Sequence, residues 1–267
     1  MNDASTANRR PQLAIQIKEL ARRSIVRTLR QPAAIIPATL FPLILLAINS
    51  AGLDSATSIP GFPTDNYLTF ALAFAFLQAG AFAVIGTGQN LAEDHVSGFF
   101  NRMQLTPIKP AALVAGQLAG TLALGLFQAA TYIAVGLVAG GHIEAGIPGA
   151  LVLIALATLI TLAFGSIGLI AGMRASSPEN VQGMFPLVFV FLFMSSMALP
   201  RDLIQTDWFQ MIATYNPVSY MIEGIRSLLI TGWDAEALAL GFGCATAILA
   251  VALTVASLSL RERMGRT

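Results

Sequence analysis

The densest group of reactive side chains in the sequence is Glu93-Asp94-His95, at the head of the stretch EDHVSGFFNRMQLTPIKP, residues 93–110. Two acids beside a histidine are raw material for proton transfer or for a metal site, but both uses need further groups held in register. The other histidine, His142, lies 47 residues on, across a long apolar run, so the two cannot share a metal. Ser166 sits in FGSIG and faintly resembles an intramembrane serine nucleophile, yet no intramembrane histidine stands by to activate it. A small serine packing a helix crossing is the better account. Lysine occurs only at positions 18 and 109, neither behind a glycine-rich loop, so ATP is not bound in the Walker manner. Cys244, the single cysteine, lies in LALGFGCATAILAVAL and excludes an internal disulfide framework. The expectation is therefore no catalytic residue, no metal site and no cofactor bound by this chain.

The elements that must position these groups are membrane elements. Hydrophobic residues make up 55% of the 267 and charged residues 11%, with a mean hydropathy of +0.71, whereas soluble domains carry about 25% charge. So few charges could not cover a soluble surface, which implies an all-α integral membrane protein. A run of about 20 apolar residues crosses the hydrocarbon core, and six are expected: 32–51, 67–89, 110–140, 149–172, 181–199 and 237–259. The third is longer than a crossing needs and must tilt or project. Pro32, Pro37 and Pro42 make the first the least regular. The first 31 residues are polar and basic, without the early apolar core of a cleavable signal. With six spans both termini share a side. Arg9, Arg10, Lys18, Arg22, Arg23, Arg27, Arg30, Arg102, Lys109, Arg174, Arg261, Arg263 and Arg266 fall there, and only Arg201 and Arg226 opposite. By the positive-inside rule both termini are cytoplasmic in a multi-pass plasma-membrane protein.

Residues 1–267 read as one transmembrane domain with three appended features. In PQLAIQIKELARRSIVRTLR, Leu13, Ile17, Leu20, Ala21, Ile25 and Leu29 form one helical stripe, while Lys18, Arg22, Arg23 and Arg30 lie mostly opposite. That pattern predicts an interfacial helix within 1–31, its cations toward anionic lipid headgroups. The loop 90–109 is the second feature. The third, 200–236, is apolar enough for membrane depth but broken at Asn216-Pro217, and it predicts a re-entrant or interfacial hairpin on the outer face. Within it Glu223 and Arg226 have i, i+3 spacing and are expected to pair. Three Gly-x-x-x-Gly pairs, 116/120, 136/140 and 168/172, would allow close helix approach. The six spans contain no charged residue, which argues against an ion- or proton-coupled carrier. They do contain Gln78, Gln89, Gln117, Gln128 and Gln182, with Ser195 and Ser196, which either line a polar route or bond across helices. The fifth span is rich in Phe and Met, including Phe185, Phe189, Phe193 and Met194. It would make an adaptable wall for a greasy ligand or an ordinary lipid-facing helix.

Two stretches carry a resemblance. After the second span come Asp94, Gly98 and Arg102 at four-residue steps, then Thr106-Pro107-Ile108. Beyond the fifth span come Ser195, Ser196, Pro200, Trp208, Asn216-Pro217, Arg226 and Gly232. In order and spacing both resemble permease subunits of ABC-2 type transporters, especially the daunorubicin-resistance-like branch that exports drugs and lipids. Lys109 and Pro110 depart from the Ser-Arg often found there. The resemblance implies a half-transporter without its own motor, paired with a second permease, identical or sister, and with separate ATP-binding-cassette subunits that hold ATP and Mg. It implies that the loop is the coupling helix docking on the ATPase, with the N-terminal helix beside it. It implies too that spans two and five line the path and that spans one and five lie near the permease pair's interface.

The residues suit that role on their own terms. Glu93, Asp94 and Arg102 offer charge to a protein surface, and Asp94, Gly98 and Arg102 would share one helical stripe. Phe99, Phe100 and Leu105 offer apolar contact, and Pro107 and Pro110 end the element and start the third span. A plain connector with Asp94 paired internally to Arg102 is the competing account. The reading is a permease for hydrophobic or amphiphilic cargo, without nucleic-acid binding. Export of lipid-linked polysaccharide and a non-transporting membrane scaffold are the rivals.

Overall fold

The computed structural model describes residues 9–99 and 109–264, all helices and connectors. Helix α1 spans Arg9–Leu29, α2 Pro32–Gly52, α3 Tyr67–Val96, α4 Pro110–Val138 and α5 Gly146–Arg174. Beyond them lie two short helices, α6 over Pro178–Gln182 and α7 over Phe185–Phe193. Then come α8 at Asp207–Tyr215, α9 at Pro217–Arg226, continued by a π-helical turn Ser227–Thr231, and α10 at Ala235–Met264. Five of these, α2, α3, α4, α5 and α10, are long and apolar enough to cross a membrane.

Where the sequence predicts a continuous fifth span over 181–199, the chain instead forms α6 and α7 with a break at Gly183-Met184. Pro186 explains the restart, because a residue without an N–H is favoured in a first helical turn. The apolar stretch Pro178–Phe193 would rise about 24 Å at 1.5 Å per residue, short of a hydrocarbon core of about 30 Å. The second span departs in the other direction. It continues as helix through Glu93, Asp94 and His95 to Val96, so its last turns project past the apolar slab.

Helix α3 is the axis of the molecule and is buried along most of its length. It packs closest on α5, where glycines bring the backbones together: a Cβ on Gly168 would lie 3.0 Å from the Val84 Cα, and one on Gly172 3.0 Å from the Gly88 Cα. Gly116 and Gly120 of α4 do the same for α1, meeting Leu20 and the Ser24 carbonyl. The third motif divides. Gly136 packs on Leu72, while Gly140 lies beyond the end of α4 with φ +91°.

Helix α1 therefore lies on protein, with Ser24 buried against α4 and its Oγ donating to the Gln117 carbonyl at 3.1 Å. Helix α2 shows how an internal proline is accommodated. Pro42 has no N–H, so the carbonyl four residues back, Ala38, loses its helical donor. The Gln128 amide (3.0 Å) and the Tyr132 hydroxyl (3.3 Å) of α4 donate to it instead. Gln128 thus forms a cross-helix bond, which is what a membrane interior demands of an orphaned carbonyl.

Candidate functional site

The polar stretch begins on the last turns of α3, and its buried acid points inward. Asp94 is 2% exposed. Its Oδ1 accepts from Arg23 Nη2 at 2.7 Å and Arg27 Nη1 at 2.8 Å. Its Oδ2 accepts from Arg23 Nη1 at 3.1 Å and Gln117 Nε2 at 2.7 Å. Three helices, α1, α3 and α4, meet on one carboxylate. Arg27 also pairs with Glu93, whose side chain is 60% exposed, and donates to the Asn90 carbonyl at 3.3 Å. Arg23 lies over the Phe99 ring, 3.8 Å from its centroid. A carboxylate taking four donor contacts, two of them from one guanidinium fork, is held far more firmly than a surface pair.

This placement differs from the outward-facing stripe expected of Asp94, Gly98 and Arg102. The helix ends at Val96. The Ser97 N–H donates to the Glu93 carbonyl and the Gly98 N–H to the His95 carbonyl. Gly98 then takes φ +69°, a left-handed turn that glycine allows without steric cost. The helical face that carries Asp94 therefore stops short of Gly98. Phe100, Arg102, Leu105 and Pro107 lie outside the described residues. Arg23 and Arg27, one helical turn apart, turn inward together, whereas the sequence pattern places Arg23 on the lipid-facing side of α1. Arg23 and Arg27 are the site residues that sequence reasoning missed, whereas Gln117, expected either to line a polar route or to bond across helices, bonds across to Asp94. The signal available was the four-residue Arg spacing on a helix with an otherwise apolar inner stripe.

The residues considered for a path fall in different places. Gln78 is buried in α3, and its Oε1 has no hydrogen-bond partner among the described residues. Gln89, about three turns on, lines an open cavity of about 1310 Å³ between α1, the start of α2, α3, α4 and the α6–α7 break. Phe185 and Phe189 join an aromatic ladder with Phe82 of α3 and Phe41 of α2, at centroid distances of 4.4–6.2 Å. Phe193 is exposed and Met194 half-buried. Ser195 and Ser196 are fully buried in structural bonds, Ser195 Oγ to the Leu192 carbonyl and the Ser196 N–H to Ser219 Oγ at 3.0 Å.

The segment 200–236 closes the end of the bundle away from Asp94, and its polar groups cap the short α7. Asn216 Nδ2 donates to the Phe191 and Met194 carbonyls at 2.9 and 3.0 Å, while its Oδ1 accepts from the Val218 N–H and caps α9, which begins at Pro217. Arg226 is buried, donates to the Ser196 and Met197 carbonyls at 2.7 and 2.6 Å, and stacks 3.5 Å over the Phe70 ring. The expected Glu223–Arg226 pair is replaced. Glu223 takes Arg201 at 2.6 Å and Ser196 Oγ at 3.2 Å, because Arg226 is turned inward to the open carbonyls just past α7. Trp208 stays exposed on α8. Among the described residues no three His, Cys, Asp or Glu side chains gather closely enough to share a metal ion.

Residues 15–230 match the ABC-2 type transporter family. The chain is 30% identical over 204 residues, 74% of its length and 69% of the relative's, to the daunorubicin resistance ABC transporter permease protein DrrB1 of Streptomyces coeruleorubidus. It is 25% identical over 225 residues, 82% and 76% of the two chains, to the putative transport permease ycf38 of Porphyra purpurea. The ycf38 permease of Pyropia yezoensis is 24% identical over 218 residues, 80% and 73% of the two chains.

Proposed function

This chain belongs to the ABC-2 type transporter family, and we propose that it is the membrane permease of an ATP-driven exporter moving hydrophobic or amphiphilic cargo outward. A separate ATP-binding-cassette ATPase holds ATP and Mg, and a second permease completes the path. The termini and the Asp94 end of the bundle face the cytoplasm of the plasma membrane, in keeping with the clustering of cations there.

The observation that carries the coupling role is the Asp94 hub. It ties the emerging polar loop to both the N-terminal helix and the third long helix through one buried carboxylate. A push on the loop is thereby transmitted to α1, α3 and α4 as a unit, and α3 is the buried axis of the bundle. In this reading Glu93, Phe99, Phe100, Arg102, Leu105 and Pro107 supply the contact surface and Asp94 supplies its rigidity. For the second permease, α2 offers the stripe Ile36, Leu40, Ile44 and Ile48, and α7 offers Leu187 and Val190, all well exposed.

Tagging and purifying the chain from its own membrane tests the reading. The expected result is a stable complex with a separate ATPase, whose hydrolysis loses its response to cargo when Asp94 and Arg102 are both changed to Ala. A chain that recruits no ATPase, with no effect of those changes, would contradict it.

A further inference from the structure

We infer that Glu223 is an exchangeable tie, which holds Arg201 in this structure and passes to Arg226 when the end of the bundle away from Asp94 opens. What the opening serves rests on the exporter reading, in which that end is the exit; the exchange itself needs no ATPase. Arg201, Glu223 and Arg226 gather at this end, and one ion pair is made among them. Glu223 accepts from Arg201 Nη2 on one oxygen at 2.6 Å and from Ser196 Oγ on the other at 3.2 Å, and both members of the ion pair have side chains 26% exposed.

Arg226 lies one turn further along α9 and is only 7% exposed, yet it makes no ion pair among the described residues. Its Nη1 and Nη2 donate to the uncharged carbonyls of Ser196 and Met197, and its buried Nε finds no acceptor among the described residues. Desolvation favours the opposite choice. A buried cation without a counter-charge is costly, whereas a half-exposed one loses little without its partner, because water screens it. At i and i+3, Glu223 and Arg226 are neighbours on one face of the helix, and the Glu223 charge already bears on Arg226. A turn of the two side chains brings the carboxylate to Nε and supplies both the missing acceptor and the missing counter-charge.

The two pairings hold the chain differently. Ser196 and Met197 belong to the stretch between α7 and the 3-10 turn Arg201–Leu203. As found, that stretch is tied to α9 twice, by Arg226 through its carbonyls and by Arg201 through Glu223. Arg201 also lies 4.6 Å from the Tyr220 ring centroid, and its carbonyl accepts from Gln210 Nε2 of α8 at 3.2 Å, so α8 moves with it. A carboxylate that moves to Arg226 undoes both ties at once, because a guanidinium turned onto Glu223 leaves the carbonyls. The Asn216 bonds to Phe191 and Met194 and the Ser196 N–H bond to Ser219 Oγ remain as the hinge. Arg226 is also the last residue of α9 before the π-helical turn Ser227–Thr231, closed by the Gly232 N–H on the Ser227 carbonyl at 2.7 Å. Such wider turns occur often at functional sites.

The test uses the full chain in nanodiscs, where reagent reaches both faces, with Cys244→Ala and Met197→Cys as the background. Met197 is 3% exposed, so a water-soluble maleimide labels the closed state slowly. Arg201→Gln frees Glu223 for Arg226 and should raise the labelling rate roughly fivefold or more, as local opening of a buried stretch does, although the Arg226 donors are untouched. Adding Glu223→Gln removes the carboxylate that draws Arg226 away and should return the rate to within about twofold of the background, the non-additivity of coupled residues. That reversal separates exchange from the simple loss of a tie, and a chain that had failed to fold would not recover. A rate unchanged by Arg201→Gln, or one that stays raised when Glu223→Gln is added, would overturn the inference. ATPase recruitment is measured on the same preparations. Reversal without recruitment defeats the exporter reading and leaves the exchange standing; recruitment without reversal does the opposite.

Discussion

Replacing Asp94 by Asn keeps the shape of the hub and removes its charge, and the consequence can be worked through atom by atom. Each carboxylate oxygen accepts two donors, drawn from Arg23, Arg27 and Gln117. An Asn amide retains one acceptor oxygen and points its NH2 at two donors that have nothing left to give to. Each charge-assisted bond is worth roughly 1.5–3 kcal/mol, and breaking a buried pair costs about 3–5 kcal/mol. The Arg23 and Arg27 side chains are 38% and 19% exposed, so water recovers part of that, and a loss of about 2–4 kcal/mol in the docking of α1 is predicted. Hydrogen exchange of the α1 amides in nanodiscs reads that loss. Opening should become roughly 30- to 700-fold more frequent over residues 13–29, at 1.4 kcal/mol per factor of ten. The first turns of α10, residues 235–245, which pack on α9 around Gly224 at the other end of the bundle, are the internal control. Protection of α1 unchanged within about threefold would refute the hub as the element that fixes it.

Further perturbations probe the other joints. Gly168→Val should lower the melting temperature through a clash of about 1–3 kcal/mol or more, because its Cβ would press on the Val84 backbone of α3; normal melting would show that α3 and α5 can part freely. Asn216→Ala removes the α9 cap and the donors to Phe191 and Met194. It should cost about 1–2 kcal/mol in thermal or denaturant unfolding. Arg226→Met leaves the Ser196 and Met197 carbonyls without their donors. It should raise thiol labelling of a Ser196→Cys reporter at least severalfold, whereas an unreactive reporter would show that Arg226 does not hold this end shut. Gly98→Ala should cost about 1 kcal/mol through its left-handed backbone alone, since the space around it is open. A larger effect on ATPase recruitment than on stability would place the turn itself in the interface.

The crossing helices were legible because lipid permits few alternatives to a long apolar helix, and α2, α4, α5 and α10 begin and end close to the expected residues. The polar loop was legible as an anomaly, but not the direction of Asp94. A carboxylate at the end of a span has the same sequence signature facing out as facing in. Its direction is set by Arg23 and Arg27, 71 and 67 residues earlier, once α1 lies along the glycines of α4. The fifth span misled for a related reason. Composition alone cannot register that Gly183, Met184 and Pro186 divide an unbroken apolar run. Nor could it show that Asn216 and Arg226, far along the chain, satisfy the carbonyls such a short helix leaves open. The segment 200–236 likewise announced its break at Asn216-Pro217, while the choice of Arg201 over Arg226 as the partner of Glu223 depended on which guanidinium those carbonyls drew inward.

The most direct measurement is ATP hydrolysis by the complex of this permease with its ATPase in proteoliposomes, comparing wild type, Asp94→Asn, and a change of α1 alone, Arg23→Gln with Arg27→Gln. If the hub transmits the stroke, both variants retain the ATPase on purification yet lose the link between hydrolysis and cargo movement to a similar degree. Coupling that survives in either variant, with α1 demonstrably undocked, would contradict the account.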